Sequence, residues 1–399
     1  MLLEIILALL LGCIAGTFTG LAPGIHINLI SAILVSSLAY FSHLPLISLA
    51  VFIVAMSITH TFLDFIPSIF LGAPEEDNFL SILPGHRMLL EGRAHEAFIL
   101  TLYGSIIAIP IILLFTPIFI LYLPSFFDII KSFIPFILIF LSLFIILRDE
   151  DFFLGFIVFL LSGLLGLLTF NLPVQQPLLP LLSGLFGLSN LLFSLKGKTK
   201  IQKQNLYALS QVKLTKREFA RSLFSSSLFA PLCSFLPGIG SGHAATFSSE
   251  FTEQNPRQFL FSLGIINTVI MGLSYVTVYS ISKSRTGTAA SVQEILKNIT
   301  SLDISIILLA IVLSGILAFI IALAVSRVFV VFLNKINYKY LTMGIIAILI
   351  LVNLILSNWL GLLVLATSTC LGFFTISSNA RRINLMACLI LPSISYYLF

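Results

Sequence analysis

The sequence predicts an all-α membrane protein, a polytopic bundle of about ten to twelve transmembrane helices. Composition is the first observation. Of 399 residues, 58% are hydrophobic and 9% charged, where a soluble domain carries roughly 25% charged residues. Mean hydropathy is +1.12. The second observation is recurrence: apolar runs of ~20 residues, each long enough for a bilayer, follow one another along the chain. The third is texture. The runs use Leu, Ile and Phe without two-residue alternation, so they read as helices and not as barrel strands. A bilayer core has no water for backbone amides, and helices satisfy those amides internally.

In order, the first half gives apolar segments at 2–21, 27–41, 45–72, 97–123, 130–148, 152–170 and 178–195. A polar excursion at 74–96 interrupts them, with Glu75, Glu76, Asp77, Glu91 and Glu96 against Arg87 and Arg93. It reads as a solvated connector, or alternatively as a gate or docking surface. The second half gives 219–236, 240–250, 258–283, 303–333, 341–357, 359–377 and 384–398. Several are short or broken at Pro-Gly, so some crossings count as two half-helices. The N-terminus lacks a basic leader region and reads as a first membrane helix. The domain reading is a first repeat at 1–195, a linker at 196–218 and a second repeat at 219–399.

The net charge of +5 comes largely from that linker, which holds Lys196, Lys198, Lys200, Lys203, Lys213, Lys216 and Arg217. The positive-inside rule makes it cytoplasmic and the protein a multi-pass cell-membrane component. Cys13, Cys233, Cys370 and Cys388 are scattered through apolar segments. They form neither a disulfide framework nor a metal-ligand pattern. No metal or cofactor is implied, beyond a coupling ion such as Na+ or H+.

The halves echo each other. Leu21-Ala22-Pro23-Gly24-Ile25 in the first answers Phe235-Leu236-Pro237-Gly238-Ile239 in the second. Three Pro-Gly pairs occur, so the dipeptide is weak evidence and its position is better evidence: each sits early in its half, after an apolar run. Small or polar residues follow: His26, Asn28 and Ser31 after one, Gly240, Ser241, Gly242, His243 and Thr246 after the other. Pro removes an amide donor and Gly permits unusual dihedrals, so the helix opens there. Matched breaks in two halves, expected to be inverted copies, point to a transporter binding site. Each restarted helix offers free amides and about half a positive charge, which suits an anion such as a carboxylate. A Pro kink that merely packs helices is the competing account. The expected substrate-binding set is Pro23, Gly24, His26, Asn28, Pro237, Gly238, Gly240, Ser241, His243, Thr246 and Asn267.

At these motifs the chain resembles the large membrane subunit of tripartite tricarboxylate transporters, the TctA-like permeases. Gly16, Gly20, Pro23 and Gly24 match the shape of that family's first glycine-proline element, and Pro237-Gly238-Ile239-Gly240 its second. Leu71-Gly72-Ala73-Pro74, Leu83-Pro84-Gly85-His86-Arg87-Met88 and Glu91-Gly92-Arg93-Ala94 resemble the stretch between. The chain departs from the family in its length, in His26-Ile27-Asn28, and in Ser282–Gly287, which echoes the Gly-x-Pro stretch only loosely. It is similar to the compact relatives. The resemblance implies a secondary-transporter fold, with a small membrane subunit and an extracytoplasmic solute-binding protein as partners.

Charge inside an apolar segment costs ~2.5–3.5 kcal/mol or more and needs a reason. Asp64 is the clearest case, with His60 one turn earlier on the same helical face. The pair is expected to relay a proton or hold a coupling cation, or else to cap and pair near the surface. Lys283 and Arg285 either attract anions or snorkel to the interface. Three functions compete: transport of a small organic anion, transport of a lipid-linked phosphate, and intramembrane enzymology. No phosphate-binding loop, His-Glu-x-x-His or Gly-x-Ser-x-Gly element occurs, so the expectation is a permease and not an enzyme.

Overall fold

A computed structural model describes residues 2–22, 27–41, 43–73, 79–149, 151–196, 202–236, 240–336 and 338–398. The Pro-Gly breaks, with Pro23, Gly24, His26, Pro237 and Gly238, lie outside them. Fifteen α-helices and no strand are present among the described residues. Eight helical stretches are long and apolar enough to cross a membrane, fewer than the ten to twelve crossings expected. The difference lies in two shorter apolar helices, Ser132–Leu147 and Arg382–Leu398, and in one long helix that turns.

The chain begins with α1 (Leu2–Leu21), α2 (Ile27–Ser36) and α3 (Leu46–Leu63), the last extended by a π-helical turn at Pro67–Leu71. Glycines let α1 and α3 touch backbone to backbone. A Cβ on Gly12 would stand 2.5 Å from the Phe52 carbonyl, and one on Gly20 would stand 2.9 Å from the Leu63 Cβ. Contacts that climb together along both helices mean that α1 and α3 run parallel. Then come α4 (Ile82–Leu90), α5 (Ala94–Leu147) and α6 (Phe152–Asn171). At 54 residues α5 amounts to roughly 80 Å of helix, well over twice the hydrocarbon thickness. Its two apolar stretches are Ala94–Phe127 and Ser132–Leu147. α7 (Leu178–Leu182) and α8 (Ser189–Lys196) join through a π-helical turn into one span.

The second half has α9 (Lys216–Phe235), α10 (Ser241–Thr252), α11 (Pro256–Ile281), α12 (Gly287–Leu296) and α13 (Ser301–Leu333). Their starts are written locally. Thr215 accepts from Glu218 N–H while the Glu218 carboxylate accepts from Thr215 N–H. Asn255 with Gln258 and Thr300 with Asp303 repeat that reciprocal cap. α14 (Tyr338–Ser377) breaks at Asn358, whose φ of 60° is left-handed. The Asn358 side chain accepts from Leu360 N–H and donates to the Pro173 carbonyl, capping the restarted helix. α15 (Ala387–Leu398) ends the chain and packs on α6, where Ser162 donates to the Leu385 carbonyl. The restarted part of α14 lies on the α7–α8 span, where Ser368 donates to the Pro180 carbonyl.

Part of the expected cytoplasmic linker is an ordered strap. Gln202 N–H donates to the Leu90 carbonyl and Asn205 N–H to the Gly92 carbonyl. Buried Gln204 accepts from Ala94 N–H, donates to the Leu89 carbonyl and exchanges two bonds with Asn334. Tyr207 N–H donates to His95, and Arg257 donates to the Lys213 carbonyl. These bonds define a linker side of the molecule, where α5 and α11 begin and α13 ends. α3 also ends there, since a Cβ on Gly72 would stand 3.2 Å from the Leu191 side chain near the end of α8.

Candidate functional site

Two helices carry the polar centre. α3 and α11 are almost wholly buried, and their polar faces meet. Asp64, 1% exposed, accepts a 2.8 Å hydrogen bond at Oδ2 from Asn267 Nδ2. Thr61 and Thr268 hydroxyls lie 3.1 Å apart one turn away. His60 Nδ1 lies 3.1 Å from the Thr19 hydroxyl of α1. The two side chains read as a pair in the sequence each also reach another helix, α1 for His60 and α11 for Asp64. A buried carboxylate met by an amide and flanked by hydroxyls can bind a proton or a small cation.

The second cluster is made of helix starts. α10 has 12 residues, about 18 Å, and its C-terminal end lies on the linker side beside the Asn255–Glu218 bond. Its N-terminus therefore reaches past half of a ~30 Å hydrocarbon layer. α12 starts from the opposite side and also inward. Its N-cap Thr286 bonds Ser274 at 3.1 Å, seven residues before α11 ends, about 10 Å along that helix. α2 begins against it, because a Cβ on Gly287 would stand 2.7 Å from the Asn28 side-chain oxygen.

Arg285 links the α12 start to the α10 start. Its Nη2 lies 3.6 Å from where a Cβ on Gly240 would stand, an ordinary contact distance that sets the guanidinium beside the α10 start. His243, 1% exposed, accepts at Nδ1 from Gly240 N–H at 3.0 Å. That bond fixes the tautomer: the proton sits on Nε2, which has no partner among the described residues. Helix-start amides, a guanidinium and an imidazole N–H thus share one region. All are donors, and an anion is what such donors bind.

The expected residues fall out as follows. Asn28, Gly240, Ser241 and His243 lie at the helix starts, whereas Asn267 belongs to the Asp64 contact. Thr246 turns its hydroxyl to the Gly242 carbonyl of its own helix. Thr286 and Gly287 are absent from the sequence-derived set, and Arg285 entered only as a charge that attracts anions or snorkels. The signal for them was a polar residue, Thr286, before a short helical run, in a stretch read only as a loose motif echo. Among the described residues, no group of three or more His, Cys, Asp or Glu could hold a metal ion.

Comparison with known proteins agrees with this architecture. The model of the tripartite tricarboxylate transporter TctA family matches residues 6–387. An uncharacterised protein of Methanocaldococcus jannaschii is 33% identical over 410 residues, covering 98% of this chain and 99% of that protein. No solved structure matches. The chain belongs to the TctA family, a family of integral membrane permeases and not of enzymes.

Proposed function

From that membership we propose that the chain carries a small organic anion of the carboxylate class across the cell membrane. The observation that supports it is the convergence of the inward starts of α2, α10 and α12 with Arg285. A carboxylate accepts from amides and guanidinium together, and these donors are fixed before it arrives. His26, Asn28, Gly240, Ser241, His243 and Arg285 are the proposed contacts, and Pro23, Gly24, Pro237 and Gly238 are proposed to supply the breaks. Asp64 with Asn267 is the proposed coupling site for Na+ or H+, His60 supporting it through α1.

The halves 1–195 and 219–399 are proposed as inverted copies joined by the cytoplasmic linker 196–218. In their support, each half runs long helix, break, short helix, long helix. α1 runs with α3, while α9 packs on α11 from a shared start, with Phe219 against Phe261 at 5.5 Å. Yet α3 ends on the linker side and α11 begins there. The family also suggests a small membrane subunit and an extracytoplasmic solute-binding protein as partners. A lipid-linked phosphate is the second reading, favoured by an apolar cavity that reaches Leu236, one residue before the second break.

The test is ligand-dependent thermal stabilisation of purified protein by di- and tricarboxylates, with and without sodium. A carboxylate should stabilise the parent. Arg285→Gln, losing hydrogen bonds worth about 1.5–3 kcal/mol to a charged partner, should need roughly 10- to 150-fold more ligand. Equal stabilisation of parent and variant overturns the site, and stabilisation by lipid phosphates alone selects the second reading.

A further inference from the structure

A cavity runs from the end of α9 along α10 to the linker side, and what it holds can be tested apart from the transport reading. Between the later stretch of α5 and helices α9 and α10 is an apolar cavity of about 450 Å³. Phe140 and Phe144, Phe229 and Leu232, and Phe247 and Phe251 form its walls. It opens sideways toward lipid, for Phe140 is 70% exposed. The charged side chain in its wall is Glu250, and Glu250 also lines a polar cavity of about 480 Å³ with Arg148, Glu253, Gln254 and Arg381. The apolar and polar cavities therefore join at one carboxylate.

The polar end is held in place by ion pairs. Arg148 Nη1 meets Glu250 Oε2 at 2.9 Å and Arg148 Nη2 meets Glu253 Oε1 at 2.9 Å. Arg381 Nη2 meets Glu250 Oε1 at 2.6 Å. These groups stand at helix ends, after α5, at the close of α10 and before α15, which is where a bilayer surface lies. Asp149 adds a third carboxylate, accepting from Arg381 N–H and Asn384 Nδ2. Among the described residues, three carboxylates against two guanidiniums leave no surplus positive charge for a purely anionic head. Glu253, with its side chain 76% exposed at the mouth, is open to an ammonium. Arg381 Nη1 also donates to the Arg148 carbonyl, so each guanidinium has both Nη atoms engaged here and keeps only the rest of its five N–H donors for a phosphate. The apolar wall from Ile134 to Phe144 rises about 15 Å, half the hydrocarbon thickness and so the depth of one leaflet's acyl chain.

We infer that this pair of cavities binds one zwitterionic, amine-bearing phospholipid, with an acyl chain between α5, α9 and α10 and the head between Glu253 and the two arginines. The probe is native mass spectrometry of the full chain, stripped of lipid and given equal phosphatidylethanolamine and phosphatidylglycerol. One phosphatidylethanolamine per chain is expected, retained about tenfold over phosphatidylglycerol. Glu253→Lys, at an exposed position, should reverse that preference, and Leu232→Trp should lower retention of both lipids by filling the cavity. If Leu232→Trp does not fold, Glu253→Lys alone decides. Equal retention by the parent, or an unchanged preference in Glu253→Lys, overturns the inference. Loss of lipid in Arg285→Gln but not in Glu253→Lys also overturns it, because the phosphate then sits at the helix starts.

Discussion

Replacing Gly264 by Ala should open the contact on which the polar centre is built. Gly264 of α11 faces Thr101 and Ser105 of α5, and the two helices run parallel from the linker side. A Cβ there would fall inside the Thr101 carbonyl oxygen, 2.9 Å from Thr101 C and 3.0 Å from Ser105 N, against an ordinary 3.4–4 Å. All three are backbone atoms, so no side chain can rotate away. The helices must part, and the Ser105 bond to the Gly264 carbonyl lengthens from 3.3 Å. Overpacking of this kind costs about 1–3 kcal/mol, and small residues at helix contacts are how membrane helices gain packing at all. Asn267 is three residues along and moves with α11, so Asp64 loses alignment with its donor. Gly344→Ala is the control, because nothing stands within 4 Å of its Cβ position. Helix propensity alone predicts about 1 kcal/mol of gain there. Thermal unfolding of both variants in one detergent checks the pair. If Gly264→Ala unfolds at or above the parent temperature, the close backbone contact is not what orders this core.

Other outcomes follow from single contacts. Asn267→Ala should cost about 1–3 kcal/mol by stripping a donor from a buried carboxylate; combined with Asp64→Asn the losses should fail to add, and strict additivity would mean no coupling across α3 and α11. Gln204→Ala removes side-chain bonds to Ala94 N–H and the Leu89 carbonyl, so limited proteolysis should cut the strap faster than in the parent, and an unchanged rate would argue against a pinned strap. For His86, burial first and Arg382 second hold the imidazole at about 4, below its ordinary 6.5. The unfolded chain therefore takes the proton first, so stability is full above ~6.5 and falls by up to about 3 kcal/mol as pH drops toward 4. His86→Gln should flatten that part of the stability–pH curve, and a curve identical to the parent's would locate the titrating group elsewhere.

Helix existence and most boundaries were legible because they depend on local chemistry. The break between 341–357 and 359–377 was visible as an interruption of an apolar run, and Asn358 turns the chain there through its own side chain. Gly16 and Gly20 were legible as a motif, yet only their contacts with α3 make them the seam along which α1 and α3 run parallel. The linker shows the limit. Its charge identified a surface segment, but Gln204 is buried by residues more than a hundred positions away, which no local pattern encodes.

The sequence by itself determined the class of environment, the helices, their caps and the polar residues that an apolar interior must explain, since each follows from residue type and spacing along one segment. Only the tertiary structure decided which of those polar residues meet. His60 and Asp64 share a face on paper but answer to α1 and α11 in space. Arg285 reads equally as an anion-attracting or an interfacial charge until the chain doubles back and sets it beside Gly240. The physical reason is that a hydrogen bond or a charge pair depends on distance in space. In this chain those distances are fixed by how glycine-lined helices pack on one another, not by spacing along the chain.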